Sequence, residues 1–311
     1  MRILVSLCLL ACSLYGQAGK LARPSMGFVF DPSTHSLRRI EGIPGAALVG
    51  SSVDFGFAVS SAYVAPRLDS AFVMTDGVCR THLFRLTADA PRELAVDSLG
   101  ACLGVVYSPS GTAAALLSPG GVRVIKGLPD APVVAATVTL RPNPRPQRPL
   151  PHTLAISDDG AYLLYGAGGL IELFGVAGDR RQVANGARGV AAAFAPGGHD
   201  AAVVQLDKVT LFTDIAGAAT VRTFPGIEMP SGVAFSSDGQ KLFVASMGRP
   251  SVTIIQVATG ERTELPCDCS PSTLTLMGSL FRLNELGTGP LWLLDTASDR
   301  GLVFVPAPAA N

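Results

Sequence analysis

PSGVAFSSDGQKLFVASMGRPSVTIIQVATGERTELP, Pro230 to Pro266, holds three apolar runs, Gly232–Phe235, Lys241–Ala245 and Val252–Val257, and a more polar fourth, Glu261–Leu265. Ser236-Ser-Asp-Gly239, Met247-Gly-Arg-Pro250 and Thr259-Gly260 separate them. Short β-branched and aromatic runs punctuated in this way predict an antiparallel meander. Asp238-Gly239 suits a hairpin, because glycine takes positive φ without a steric penalty. Four strands in about forty residues match one blade of a propeller.

The unit recurs. Val105-Val-Tyr-Ser-Pro-Ser-Gly111, Leu154-Ala-Ile-Ser-Asp-Asp-Gly160, Ala192-Ala-Phe-Ala-Pro-Gly-Gly198 and Val233-Ala-Phe-Ser-Ser-Asp-Gly239 each pair an apolar strand end with a turn closing on glycine, at spacings of 49, 38 and 41. Tyr63-Val-Ala-Pro-Arg-Leu-Asp69 fills the same place without the glycine, and Leu274-Thr-Leu-Met-Gly278 does so with a shortened turn. Phe28-Val-Phe-Asp-Pro and Leu37-Arg-Arg-Ile40 supply strands for a seventh unit. Runs such as Ala113–Leu117 and Ala201–Val204 are apolar throughout, as strands covered on both faces are. The expectation is an all-β propeller of about seven four-stranded antiparallel blades closed into a ring. Leu291–Asp295 and Gly301–Val305 either complete the last unit or pair with the N-terminal strands.

The Pro230–Ser246 segment, followed by Val252-Thr-Ile-Ile-Gln-Val-Ala-Thr-Gly260, resembles a YVTN-type repeat, the bacterial extracytoplasmic relative of WD40 propellers. Phe243-Val-Ala-Ser246 departs from the tetrapeptide that gives the repeat its name. The resemblance implies a propeller and no single activity, because function resides in sites placed on such rings. Propeller lactonases share the architecture, but none of their active-site residues can be carried onto this chain.

Met1-Arg2, the apolar Ile3–Ala11 and the small residues Gly16 and Ala18 read as a secretory signal peptide over residues 1–18, leaving 19–311 as one propeller domain in a secreted or periplasmic protein. Leu9-Leu-Ala-Cys12 offers an alternative, a lipidated N-terminus at Cys12. No later stretch is long enough to span a membrane. A formal net charge of zero gives no general attraction to nucleic acid.

Four cysteines follow the leader, and an even count in an exported chain suggests disulfides. The unit map favours Cys79–Cys102 and Cys267–Cys269. All four lie in connections on one face of the ring, the face carrying the links between units. The same face carries Arg141-Pro-Asn-Pro-Arg-Pro-Gln-Arg-Pro-Leu-Pro151, a proline-rich arm of extended character. Arg141, Arg145 and Arg148 on that arm, with His152 beside it, are the candidate binding residues. The arm serves either as a recognition element or as a stiff connection.

Catalytic signals are few. His35, His82, His152 and His199 make no metal-ligand spacing, the Asp-Gly turns lack the alternation of a calcium loop, and no nucleophile elbow, phosphate loop or dinucleotide fingerprint occurs. The reading is a monomeric binding module for an unidentified protein or small molecule, with no catalytic residue, metal or cofactor assigned. A lactonase-like or other metal-assisted hydrolase using the central mouth is the alternative. Inward carboxylates or histidines around an ion would favour the enzyme, and a mouth lined by small and apolar groups would favour binding.

Overall fold

A computed structural model describes residues 24–75, 80–87, 90–140, 153–167, 170–184, 191–297 and 301–307. The signal segment, Cys12, Cys79, the arm 141–151 and His152 lie outside the described residues. Seven antiparallel sheets stand around one axis, six of four strands and the first of three. They span Ser25–Ser52, Val59–Leu94, Gly104–Thr139, Thr153–Ala184, Ala191–Pro225, Pro230–Pro266 and Thr275–Val305. Leu291–Asp295 and Gly301–Val305 complete the seventh sheet.

Seven apolar clusters lie between the sheets, one at each junction. The last of them joins Val29, Ile40 and Ala47 of the first sheet to Met277, Leu291 and Val303 of the seventh. Among the described residues the ring therefore closes by side-chain packing, with no strand shared between its ends. Each sheet is covered on both faces, which is why Ala113–Ser118 and Ala201–Gln205 are buried at every position.

The turn after the first strand is the repeated device. Gly111, Gly160, Gly197 and Gly239 take φ of 73°, 60°, 71° and 71°. In the fifth sheet the left-handed residue is thus Gly197, one place earlier than the aligned Gly198. Leu68 fills the same place in the second sheet at φ 62°, its N–H donating to Ala65 O at 2.8 Å as that of Gly239 does to Ser236 O at 2.9 Å. A leucine in this region is strained. Its side chain lies beside Gly278 of the seventh sheet, where it packs against the cluster that closes the ring.

Two faces follow from the up-and-down order. The hairpin face carries the first-to-second and third-to-fourth turns, and the connection face carries the others and the links between sheets. In the six four-stranded sheets the first strand is nearest the axis and runs toward the hairpin face. There the turns of neighbouring sheets meet, and Gly278 N–H donates to Pro66 O at 2.8 Å, tying the seventh sheet to the second.

The first sheet runs the other way. Val59, which opens the second sheet on the connection face, donates its N–H to His35 O at 3.0 Å, in the turn after Ser25–Asp31. At the other end of that strand a Cβ on Gly27 would overlap Met277, the last residue of the seventh sheet's first strand. Ser25–Asp31 therefore runs from the hairpin face to the connection face, in the direction of a second strand. No described residue fills the axis-side place of this sheet, so of the expected four-strand unit three strands lie among the described residues.

Candidate functional site

The axial channel is a cavity of about 470 Å³. Five sheets line it with their first strand alone or with that strand and its turn. It widens beside the first sheet, where no described strand lies on the axis side: Phe28 and Phe30 reach it there, and the seventh sheet adds Phe281, Arg282 and Glu285 from beyond its own first strand.

Strand alternation assigns the walls of the widened part. Ala62 and Val64 share an apolar cluster with Phe28 and Phe30, which makes the second-sheet wall greasy. Leu280 belongs to the cluster between the seventh and first sheets, and Arg282, two residues along, lies on that same face. Thr275 is its cross-strand neighbour. The second wall is thus polar around one guanidinium.

Arg282 is mostly buried. One terminal nitrogen donates to Glu285 Oε1 at 2.8 Å, while Nε is buried with no hydrogen-bond partner among the described residues. A buried donor left unpaired is costly, more so on a charged group. Glu285 is exposed at the mouth. Tyr63 lines the channel from the second sheet's first strand. Burial pushes its phenol up, and negative charge at Cys102 and Glu285 adds to the rise. Among the described residues no three His, Cys, Asp or Glu side chains gather as metal ligands would.

The connection face around the mouth carries exposed apolar side chains. Leu103 and Met229 stand in links between sheets, and Leu170, Leu206 and Met247 stand at second-to-third-strand turns. Met247 N–H donates to Met229 O at 3.0 Å, so two of them are neighbours. Met229 sits at φ 46°, strained and exposed.

Cys267 and Cys269 are joined by a disulfide on this face. Cys79, the expected partner of Cys102, lies outside the described residues; Cys102 is a buried free thiol, its Sγ 3.7 Å from Gly104 O and 4.0 Å from Met74 Sδ. Its place among Phe72, Met74 and Leu116 in the core between the second and third sheets turns it away from the surface connections. Burial pushes this thiol up.

The remaining histidines serve local structure. His82 Nδ1 lies 2.6 Å from Glu93 Oε1, and His199 Nε2 lies 3.0 Å from Asp159 Oδ2 against the edge of Tyr162. Sequence reasoning did not single out Arg282 and Glu285. Their signal was an arginine ending an apolar strand and a carboxylate three residues later, which in isolation reads as surface.

No protein-family model and no curated protein matches the chain. Solved structures do. A functionally unknown protein from Desulfotomaculum acetoxidans aligns with TM-score 0.60 at 14% identity over 91% of this chain and 99% of its own. A candidate 6-phosphogluconolactonase from Bacteroides uniformis aligns with TM-score 0.59 at 15% identity over 92% and 97%. Hydrazine synthase from Kuenenia stuttgartiensis gives TM-score 0.59 at 16% identity over 92% and 99%. At such identities the likeness shows the fold, a seven-bladed β-propeller, and nothing about activity.

Proposed function

We propose that the protein is an exported binding module of the YVTN-like propeller type, and that it takes its ligand at the widened mouth of the channel on the connection face. The observation that carries this is the axial channel of about 470 Å³, with an apolar wall at Phe28, Phe30 and Ala62 and the mostly buried Arg282 beside Glu285 on another. Concave sites of this size with apolar walls and a few placed polar groups are the usual form of ligand pockets. Met229 and Met247, exposed on the connection face, supply adaptable apolar contact, and Arg141, Arg145, Arg148 and His152, which lie outside the described residues, are the candidate partner contacts read from the sequence.

A test uses 8-anilinonaphthalene-1-sulfonate, an aromatic anion. Expected are one site per chain and about tenfold weaker binding after Ala62→Trp, which fills the widened part of the channel, a change of about 1.4 kcal/mol. Binding unaffected by that substitution would sink the reading. The alternative is a hydrolase, supported by the likeness to the Bacteroides uniformis protein and by the carboxylate of Glu285 beside Arg282. It predicts release of acid from glucono-δ-lactone in a pH-stat, lost in Glu285→Gln.

A further inference from the structure

We propose that the Cys267–Cys269 bridge is a site of thiol–disulfide exchange with a dithiol, and that opening it slackens the link that carries the chain into the channel wall of the seventh sheet. The exchange stands apart from the reading above; its effect on a bound ligand rests on that reading.

The link runs from Pro266, the end of the sixth sheet, to Thr275, the start of the seventh. Cys267 N–H anchors one end on Pro250 O at 3.0 Å. At the other end Ser272 and Thr273 donate their N–H groups to Leu283 O at 2.8 and 3.1 Å, and Ser231 Oγ donates to Pro271 O. The fit is close, since a Cβ on Gly232 of the sixth sheet would stand 2.8 Å from Leu274 N. Thr273, Leu274 and Thr275 line the channel, as does Arg282 next to Leu283. The bridge lies between the two anchored ends.

Its reactivity follows from spacing and exposure. The fold can tighten a bridge only as far as the bridge tightens the fold, and a bridge of sequence separation 2 constrains the unfolded chain least. Cys267 is buried, whereas Cys269 is half-buried and Asp268 exposed, so Cys269 Sγ is the sulfur open to attack. Weakly held, accessible bridges are the labile ones. A thiolate of the dithiol attacks Cys269 Sγ; the bond between the two cysteines breaks, and Cys267 Sγ leaves and takes a proton. The second thiolate of the dithiol then attacks the dithiol sulfur of that mixed disulfide, and Cys269 Sγ leaves and is protonated. The dithiol gives up two electrons and two protons and ends as a disulfide, and the cysteine pair gains them. The Cα atoms of Cys267 and Cys269 are 5.0 Å apart. Two extended residues span about 7 Å, so the open link gains about 2 Å of reach. A slack wall must be ordered again when a ligand binds, so the open form binds more weakly.

The test equilibrates the full chain with reduced and oxidised dithiothreitol, traps thiols by alkylation and reads the peptide carrying Cys267 and Cys269 by mass spectrometry. Expected are reduction of the folded protein with an equilibrium constant within about thirtyfold of that of the isolated peptide Leu265–Pro271, at least about tenfold faster hydrogen exchange at Ser272 and Thr273 with Val244 unchanged, and about fivefold weaker binding of the anilinonaphthalene probe. The double variant Cys267→Ser, Cys269→Ser should show the fast exchange without reductant and ignore dithiothreitol. A bridge that resists dithiothreitol about a thousandfold more than the peptide, or opens only on unfolding, would overturn the proposal, as would reduction that leaves exchange at Ser272 and Thr273 unchanged. Equal binding of the anilinonaphthalene probe by both forms would overturn the effect on the ligand. If that probe binds neither form while exchange at Ser272 and Thr273 responds, the pocket fails and the bridge stands.

Discussion

Asp158 holds three sheets together, and replacing it tests how the ring is tied. Its Oδ1 accepts from Ser110 N–H in the third sheet at 2.7 Å, and its Oδ2 accepts from Gly197 N–H in the fifth at 2.8 Å. The main-chain oxygen of the same residue accepts from Thr112 Oγ1 at 3.1 Å and survives any substitution. Asp158→Ala removes both carboxylate bonds. A hydrogen bond to a charged group contributes about 1.5–3 kcal/mol; the Ser110 amide is partly buried and keeps that range, whereas water can replace the exposed Gly197 contact at about 0.5–1 kcal/mol. The expected loss is about 2–4 kcal/mol. With an unfolding entropy of about 2.1 cal/mol/K per residue over a chain of this length, Tm falls by about 3–7 °C. Asp158→Asn keeps one acceptor and turns a donor toward an amide, so it should lie between the two. Urea unfolding with an unchanged slope and a lowered midpoint is the assay. A midpoint equal to wild type would show that the three turns are held by apolar packing alone.

Further expectations follow from single sites. Burial would raise the Asp31 carboxyl, but hydrogen bonds from Ser33 and Thr34 and the Arg38 guanidinium outweigh it and bring it down to about 2. A depressed carboxylate stabilises above its unfolded value and loses that contribution as pH falls. Stability should therefore drop by about 1–2 kcal/mol, after allowance for screening at the turn, between about pH 4 and pH 2, and Asp31→Asn should flatten that limb of a urea-midpoint profile. Leu68→Gly relieves about 1 kcal/mol of left-handed strain but removes a packed leucine worth about 2–3 kcal/mol, so a net loss is expected, and a gain in Tm would show that the side chain packs nothing. Gly239→Val should cost about 2 kcal/mol from φ 71° alone, since space is open around that position. Replacing Cys267 and Cys269 together by Ser should cost under about 2 kcal/mol, because a bridge of sequence separation 2 closes the shortest of loops; a larger fall in urea midpoint would assign it a tertiary role.

The repeated turn made the fold legible, and the same turn shows where reading stopped. Aligned Ser-Asp-Gly motifs locate first-to-second-strand turns because only a left-handed residue closes them, and Leu68 kept its place in the alignment through the hydrogen bond of the turn, without a glycine. What the motif does not carry is the second partner of each residue. Asp158 and Asp159 are adjacent and alike. Asp159 accepts from Ser157 Oγ and Ala161 N–H within its own turn and meets only the His199 ring of the fifth sheet, whereas Asp158 ties main-chain amides of both the third and the fifth. The cysteines divide in the same way: Cys267 and Cys269 are close by covalent geometry, but Cys102 needed a tertiary neighbour that no spacing reveals.

The N-terminal unit holds the most consequential of these readings. Every other unit presents an apolar strand end before a turn in which a left-handed residue follows, the signature of a chain descending along the axis and turning at the hairpin face. Phe28-Val-Phe-Asp-Pro-Ser-Thr-His35 has the apolar strand but leads into a turn on the opposite face, held by the Asp31 carboxylate and closed by His35 at φ 50°. The missing signature and the reversed direction are one fact. A strand that ascends cannot occupy the descending place, so no strand among the described residues lies on the axis side of the first sheet, against the seventh sheet's facing side. Arg282 lies on that face. In other sheets the second-strand residues on the face toward the following sheet are apolar and buried, as Met74, Leu117, Val204 and Ala245 are. Arg282 departs from that pattern: it is mostly buried, paired with Glu285 through one terminal nitrogen, and its Nε has no hydrogen-bond partner among the described residues.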